Sequence, residues 1–177
     1  MSFFSRLFSR GPDRRDALVP LYNAVITLSR QPHWYVNGGV ADNVEGRFNL
    51  LVTLLSLVLL RLEEAPDKAE SGVALTELFV DDMDGQLRQE GVGDVVVGKR
   101  VGKMMSILGG RLGGLRETFV LEDGDARRDA LEDVLRRNLY QSEIGDEALR
   151  YTSDRLMMMH SGLVGRGVDT VLAGEIA

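Results

Sequence analysis

The chain has 177 residues, 44% of them hydrophobic and 27% charged, which is typical of one globular domain with a sizeable core. A net charge of −6 argues against nucleic acid as a direct partner, so any basic surface must be local. The absence of cysteine excludes disulfides, iron–sulfur clusters and thiol nucleophiles. With only His33 and His160 as histidines, we expect no metal and no cofactor.

Residues 1–16 form an N-terminal tail that is aromatic on one helical face and basic around it. This pattern is typical of a helix lying on an anionic membrane surface. The candidate membrane contacts are Phe3, Phe4, Arg6, Phe8 and Arg10. A flexible terminus, a segment that packs its phenylalanines on the domain, and the start of a mitochondrial presequence are three other interpretations.

Residues 17–63 predict two helices separated by an irregular loop. Apolar spacing predicts the first over Ala17–Ser29, ended by Pro32, and a loop then follows with two glycines. In that loop Trp34 either plugs the edge of the domain or is an exposed anchor for a partner. The run Leu50–Leu62 is too short to span a bilayer, which needs about 20 apolar residues, and it predicts a buried core helix over Val44–Glu63.

The start of this core helix has the spacing of a capping box, with Asp42 as N-cap and Glu45 reaching back. Arg47 lies in the first turn, where a cation is unfavourable next to the positive end of the helix. We therefore expect Arg47 to be compensated by an ion pair, either with Asp42 or with the acidic cluster described next.

After a polar linker, a helix is predicted from about Val73 to Glu90. It carries an acidic cluster, which we define as Asp81, Asp82 and Asp84, mostly away from its apolar stripe. A pair between Asp84 and Arg88 fits the i, i+4 spacing. Gly91 and Gly93 predict a turn, and Asp94 is expected to cap a following helix. That helix is basic on one face, with Lys99, Arg100, Lys103 and, further on, Arg111 and Arg116.

The stretch Asp82–Arg100 partly matches three sequence motifs of enzymes or metal sites. Gly93–Lys99 fits G-x-x-x-x-G-K, but Arg100 stands where a Ser or Thr would bind Mg²⁺. Gly91 and Gly93 lack the third glycine of a dinucleotide fingerprint, and the segment Asp82–Gly85 lacks the spacing of a calcium loop. We find no catalytic constellation in the sequence and expect a protein that is not an enzyme. Nucleotide binding through Gly93–Lys99 is kept as an alternative.

The remaining chain predicts further helices. Gly109–Gly114 is expected to break the basic helix before it resumes at Leu115. Helices follow over Ala126–Tyr140 and from Asp146 to about Leu163, with at least one of Met157–Met159 exposed, and residues 162–177 are expected to dock as a final helix. The predicted fold is all-α, a single compact bundle of about six or seven helices over residues 17–177.

Three pieces of sequence together carry a family resemblance. They are Asp42 with Gly46-Arg47-Phe48; Asp82-Met83-Asp84 with Leu87-Arg88; and Gly91-Val92-Gly93-Asp94 with Val97-Gly98-Lys99 and on to Met104. In this order they resemble the ubiquinol–cytochrome c chaperone family, the assembly factors of respiratory complex III, over roughly Leu21 to Phe119. The resemblance implies a helical, non-enzymatic protein whose client is newly made cytochrome b. A small partner protein and the ribosome are further implied partners, and the chain looks like a bacterial member.

We expect the client-binding residues to lie around the acidic cluster and the basic face. They are Asp81, Asp82, Asp84, Arg88, Asp94, Lys99, Arg100, Lys103, Trp34 and Arg47. The expected location is peripheral, at the inner face of the cytoplasmic membrane, or on the matrix side if the protein is mitochondrial. A helical protein whose client is the anionic lipid surface itself is a second interpretation.

Overall fold

The structure, a computed structural model, describes residues 15–89, 94–140 and 142–176, without the side chains at 87, 88 and 94–97. In this part of the chain there are eight α-helices and no strand, which confirms the predicted all-α bundle. Turns of 3-10 helix at Asp16–Leu18 and Pro66–Lys68 precede two of them. The helices are α1 (Val19–Ser29), α2 (His33–Val36), α3 (Val44–Glu63), α4 (Ala69–Gln89), α5 (Asp94–Phe119), α6 (Asp125–Asn138), α7 (Asp146–Gly165) and α8 (Val168–Leu172).

Helix α3 is the central rod of the bundle, with the predicted bounds. Every residue from Leu50 to Leu60 is buried, because α1, α4, α5, α7 and α8 all pack against it. Its two buried hydroxyl groups donate hydrogen bonds within the helix, Thr53 to the Asn49 carbonyl and Ser56 to the Val52 carbonyl, each over 2.7 Å. A helix that is apolar on every side is therefore a core helix here.

The start of α3 differs from the prediction by one residue. Asn43 is the N-cap, and its side-chain oxygen accepts from the Gly46 amide over 2.8 Å. Asp42 instead accepts from the Nε of Arg47 over 2.7 Å, which confirms the predicted ion pair of that arginine. Upstream, residues 33–36 form the short helix α2, so the prediction of a wholly irregular loop was wrong.

Helix α5 runs without a break from Asp94 to Phe119, so the expected interruption at Gly109–Gly114 was wrong. The helix is held by buried side chains on both flanks of the glycines, Leu108 and Leu115. Arg111 lies between them and is only 2% exposed, although the sequence placed it on the basic face. Tertiary packing of this stretch outweighs the weak helix propensity of glycine.

The C-terminal half packs as predicted. Leu131, Val134, Leu135 and Leu139 are buried. Met158 is 64% exposed, as expected for at least one of the three methionines, and Val171 of α8 is fully buried. Arg61 joins the end of α7 to α3, because its Nε donates to the Leu163 carbonyl over 2.9 Å and its Nη2 to the Arg166 carbonyl over 3.1 Å. Among the described residues, no helix combines the length and apolarity needed to cross a membrane.

Candidate functional site

Helix α4 divides the predicted acidic cluster between two grooves. Successive residues of an α-helix point about 100° apart, so Asp81 and Asp82 face different neighbours. Asp81 pairs with Arg15 over 3.0 Å. Asp82 accepts from the Tyr22 hydroxyl over 2.8 Å and from the Gln86 amide over 3.1 Å. The two carboxylates therefore do not form one acidic surface.

The first groove, called the basic groove below, has a volume of about 670 Å³ and lies between the start of α3 and the facing halves of α4 and α5. Its apolar floor is formed by Ile26, Phe48, Leu51, Met83, Met104 and Ile107. Its charged rim consists of Arg30, Arg47, Arg100 and Lys103 with Glu45 and Asp82. The groove thus collects four of the predicted client-binding residues and has an excess of positive charge.

The wall of the basic groove at Arg47 is held by several contacts. The Arg47 guanidinium lies 5.6 Å from the centre of the Tyr35 ring, and the Tyr35 hydroxyl donates to the Ser29 carbonyl over 2.6 Å. The hydrogen bond that Arg47 donates to the Asp42 carboxylate raises the pKa of Arg47 above its ordinary value. A side chain at Gly46 would meet the Ala41 carbonyl oxygen at 2.0 Å, so only glycine permits this approach of chain and helix.

Tyr22 fixes the carboxylate at the other side of the basic groove. Burial and, secondarily, the hydrogen bond to Asp82 raise the pKa of Tyr22 well above its ordinary value of 10.0. Tyr22 therefore keeps its proton at physiological pH and donates a hydrogen bond to Asp82. This neutral donor orients the Asp82 carboxylate in the rim.

The second groove, called the acidic groove below, has a volume of about 830 Å³ and follows α4 along α3 and α5. Its apolar lining is Leu59, Leu62, Val73, Val80, Val101, Met105 and Leu112. Its charged residues are Glu63, Glu77 and Asp81, with Arg15 at the Asp81 end. Val73 is 60% exposed and Met105 is 37% exposed. Among the described residues, this groove therefore presents apolar side chains to solvent.

Trp34 does not have the surface position that a client contact requires. Its side chain is 4% exposed, and its indole N–H donates to the Leu28 carbonyl over 2.9 Å. The structure therefore corrects the inclusion of Trp34 among the contact residues, because the residue plugs the edge of the domain. Arg111, predicted on the basic face, is likewise inside the core.

The other predicted site residues are not brought into either groove. Lys99 is exposed and Asp84 is half-buried, and neither lines a groove. The side chains of Arg88 and Asp94 lie outside the described part, as does the turn at Gly91 and Gly93. The tail residues Phe3, Phe4, Arg6, Phe8 and Arg10 also lie outside the described residues.

The motif alternatives do not fit the helices that contain them. Residues 94–99 are helical, so they do not form the loop that cradles a phosphate in a nucleotide site. The segment Asp82–Gly85 lies inside α4 and is not a calcium loop. Within residues 15–89, 94–140 and 142–176, no group of three or more His, Cys, Asp or Glu side chains is placed to hold a metal ion.

Arg30, Tyr35 and Met104 are among the residues of the basic groove that were not predicted as contacts from the sequence. A signal existed for Met104, which follows the apolar spacing of its helix next to Lys103. No sequence signal places Arg30 and Tyr35 beside α4, because the approach of α1 and α2 to this groove is a property of the fold.

The comparisons with known proteins agree with this fold. A family model described as "Ubiquinol-cytochrome C chaperone" matches residues 37–160, more than half of the chain. The crystal structure of the Cbp3 homolog from Brucella abortus has a TM-score of 0.79 to this structure at 25% sequence identity, covering 99% of this chain and 96% of that chain. A search of curated proteins found no match. The matched range contains all of α4 and α5, the two helices shared by both grooves.

Proposed function

The chain belongs to the ubiquinol–cytochrome C chaperone family, and on this premise we propose that it is a non-enzymatic assembly chaperone that binds newly made cytochrome b. In this role it supports assembly of the ubiquinol–cytochrome c reductase complex. It works as a peripheral protein at the inner face of the cytoplasmic membrane, or on the matrix side of a mitochondrial membrane.

The observation that carries this proposal is the basic groove, where Arg47, Asp82, Arg100 and Lys103 surround an apolar floor. A newly made membrane protein exposes apolar helices whose ends carry charged and polar residues. Such a segment needs an apolar surface for its helix and charged groups for its ends. Met83 and Met104 in the floor add side chains that adapt to varied apolar partners.

The charges of the two grooves fit different parts of such a client. The basic groove suits acidic client residues. The acidic groove, with Glu63, Glu77 and Asp81, suits the basic residues that flank transmembrane helices on their cytoplasmic side. Because α4 and α5 bound both grooves, one client can present its acidic and its basic residues to the same pair of helices.

Site-specific photo-crosslinking tests the client. A crosslinking amino acid in place of Met104, in the basic groove, is expected to capture cytochrome b in cells that synthesise it. The same amino acid in place of Met158, an exposed methionine of α7 outside both grooves, is the matched control and is expected to capture none. No capture at position 104, together with normal complex III in a deletion strain, would refute the proposal.

Charge reversal tests the role of the rim. Arg100→Glu is expected to lower recovery of cytochrome b at least tenfold, because it replaces one of the rim cations by an anion. Arg150→Glu makes the same change on the exposed surface of α7 and is expected to leave recovery unchanged. Equal recovery from both variants would show that the basic groove does not contact the client.

The four cations of the basic groove also favour a second candidate, binding to an anionic lipid surface. Flotation with phosphatidylglycerol vesicles, without cytochrome b, separates this candidate from the first. Flotation that needs residues 1–15 but is unaffected by Arg100→Glu assigns membrane contact to the tail. Flotation lost in Arg100→Glu assigns it to the basic groove.

A further inference from the structure

Resting on the proposed function, we infer that a third cavity, called the polar cavity below, binds a carboxylate that the client extends from the basic groove. The polar cavity has a volume of about 430 Å³ and lies where α3, α5 and the end of α6 meet. Ile107 is aliphatic, and the other lining residues are Glu45, Asn49, Arg111, Arg137, Asn138 and Tyr140. Such a lining suits a small polar or charged group and not an apolar helix.

The buried guanidinium of Arg111 brings a positive charge without an anion to this cavity. Arg111 is only 2% exposed, and the acceptors of its Nη1 and Nη2 are neutral: the carbonyl oxygens of Asn49 and Asn138, the Asn49 amide oxygen and the Thr53 hydroxyl. Its Nε has no hydrogen-bond partner within the described part of the chain. Buried charges are normally paired and buried donors normally bonded, so an anionic oxygen in the cavity would supply what Arg111 lacks.

Two exposed charges of opposite sign complete the electrostatics of the polar cavity. Arg137 lines it, and the Nε of Arg137 donates to the Asp133 carbonyl of its own helix over 3.2 Å, so no carboxylate of the described residues neutralises this arginine. Glu45 is the carboxylate in the lining. Two guanidinium groups against one carboxylate leave an excess of positive charge, which favours an anion, whereas Glu45 by itself opposes one.

The polar cavity is continuous with the basic groove, since Glu45, Asn49 and Ile107 line both. A client segment that packs on the apolar floor at Ile107 therefore has an acidic side chain within reach of Arg111. The basic groove binds the apolar face of that segment, and the polar cavity fixes its register by holding one carboxylate. This division explains why a charged side chain of α5 is directed into the core beside an otherwise apolar groove.

Nuclear magnetic resonance of the full-length protein tests the cavity without any client. The probes are sodium acetate, neutral acetamide of the same shape, and inorganic phosphate, each at constant ionic strength maintained with chloride. Acetate is expected to shift the Nε–H resonance of Arg111 saturably, and acetamide is expected to leave it in place. Equal shifts with acetate and acetamide, or no shift with acetate, would overturn the inference. A saturable shift with phosphate alone would assign the cavity to free phosphate and not to a carboxylate.

Substitutions at the mouth of the cavity identify the charges that act on the ligand. Arg137→Gln is expected to weaken acetate binding at least fivefold, and Glu45→Gln to strengthen it about threefold because a like charge is removed. The matched control is Arg136→Gln, which removes the neighbouring arginine of α6; Arg136 pairs with Glu132, Asp133 and Asp146 and does not line the cavity. Equal acetate affinity in the Arg137 and Arg136 variants would contradict the assignment.

Recovery of cytochrome b tests whether the client supplies the carboxylate. Arg137→Gln is expected to lower recovery at least threefold, and Arg136→Gln to leave it unchanged. Acetate binding combined with normal recovery from Arg137→Gln would show that the cavity serves a free carboxylate and not the client. Client capture through position 104 without any response to acetate would refute this inference and leave the proposed function standing.

Discussion

The Nη2 of Arg111, in the middle of α5, donates to the carbonyl oxygen of Asn138 at the end of α6 over 2.6 Å. Its Nη1 donates to the Asn49 carbonyl over 2.9 Å and to the Thr53 hydroxyl, both on α3. One buried side chain thus joins three helices. Burial lowers the pKa of Arg111 to about 10, so it remains charged at neutral pH.

Arg111→Ala is expected to lower the free energy of unfolding by about 3 kcal/mol, because it leaves a cavity and removes the donor from the Asn138 carbonyl. Arg111→Met keeps most of the volume and is expected to cost about 1–2 kcal/mol, chiefly through that carbonyl. Urea unfolding of both variants measures the difference. A methionine variant at least as stable as the parent would mean that the free-energy cost of burying the charge exceeds the stabilisation from its hydrogen bonds.

The burial of Arg111 could not be predicted from the sequence. Its neighbours Arg100 and Lys103 were placed correctly on an exposed basic face, because a charged residue on an amphipathic helix is normally solvated. Nothing in the spacing distinguishes Arg111 from them. Its burial depends on carbonyl oxygens of α3 and α6, which only the folded chain brings to α5.

The bounds and the burial of helix α3, in contrast, could be predicted from the sequence. Its bounds were predicted because an uninterrupted apolar run with polar flanks has a single good solution, a helix buried on all sides. The division of the acidic cluster was also within reach of the sequence, since Asp81 and Asp82 lie about 100° apart on any helix. Which groove each faces depends on the packing of α3 and α5 against α4, and this packing has no local signal.

Gly46→Ala is expected to destabilise the protein by about 2 kcal/mol, because the new methyl group would lie 2.0 Å from the Ala41 carbonyl oxygen and must push the preceding chain away. That shift also moves Asp42, and with it the pair that holds Arg47 in the rim of the basic groove. Thermal unfolding measures the loss. Gly85→Ala on α4, where no atom lies within 4 Å of the new methyl group, serves as control and is expected to raise stability.

We predict that His160 makes a contribution to the free energy of unfolding that is lost at acidic pH. Its ring stacks on Phe119 with centroids 3.7 Å apart, and burial, followed by the charge of Arg127, lowers its pKa from 6.5. The unfolded chain therefore binds the proton more readily, and stability is lost as the pH falls from about 6.5 through the folded pKa.

His160→Gln is expected to reduce the loss of unfolding free energy between about pH 7.5 and pH 5.5, measured by urea titration at each pH. Burial and the charge of Arg155 also lower the pKa of His33, so His33→Gln is the matched comparison. An unchanged loss in the His160 variant would show that its imidazole does not contribute to the acid sensitivity.

The glycines of α5 give a prediction that separates helix propensity from packing. A methyl group at Gly110 meets nothing within 4 Å, whereas one at Gly114 would lie 3.3 Å from Cγ2 of the buried Val134 on α6. Gly110→Ala is expected to raise the free energy of unfolding by up to about 1 kcal/mol, because alanine restricts the unfolded chain and favours the helix. Gly114→Ala gains the same propensity but presses α5 against α6, so its net effect is expected to be near zero or negative. Equal gains from both variants would mean that α6 moves freely to accept the methyl group, and no gain from Gly110→Ala would contradict a continuous helix through this stretch.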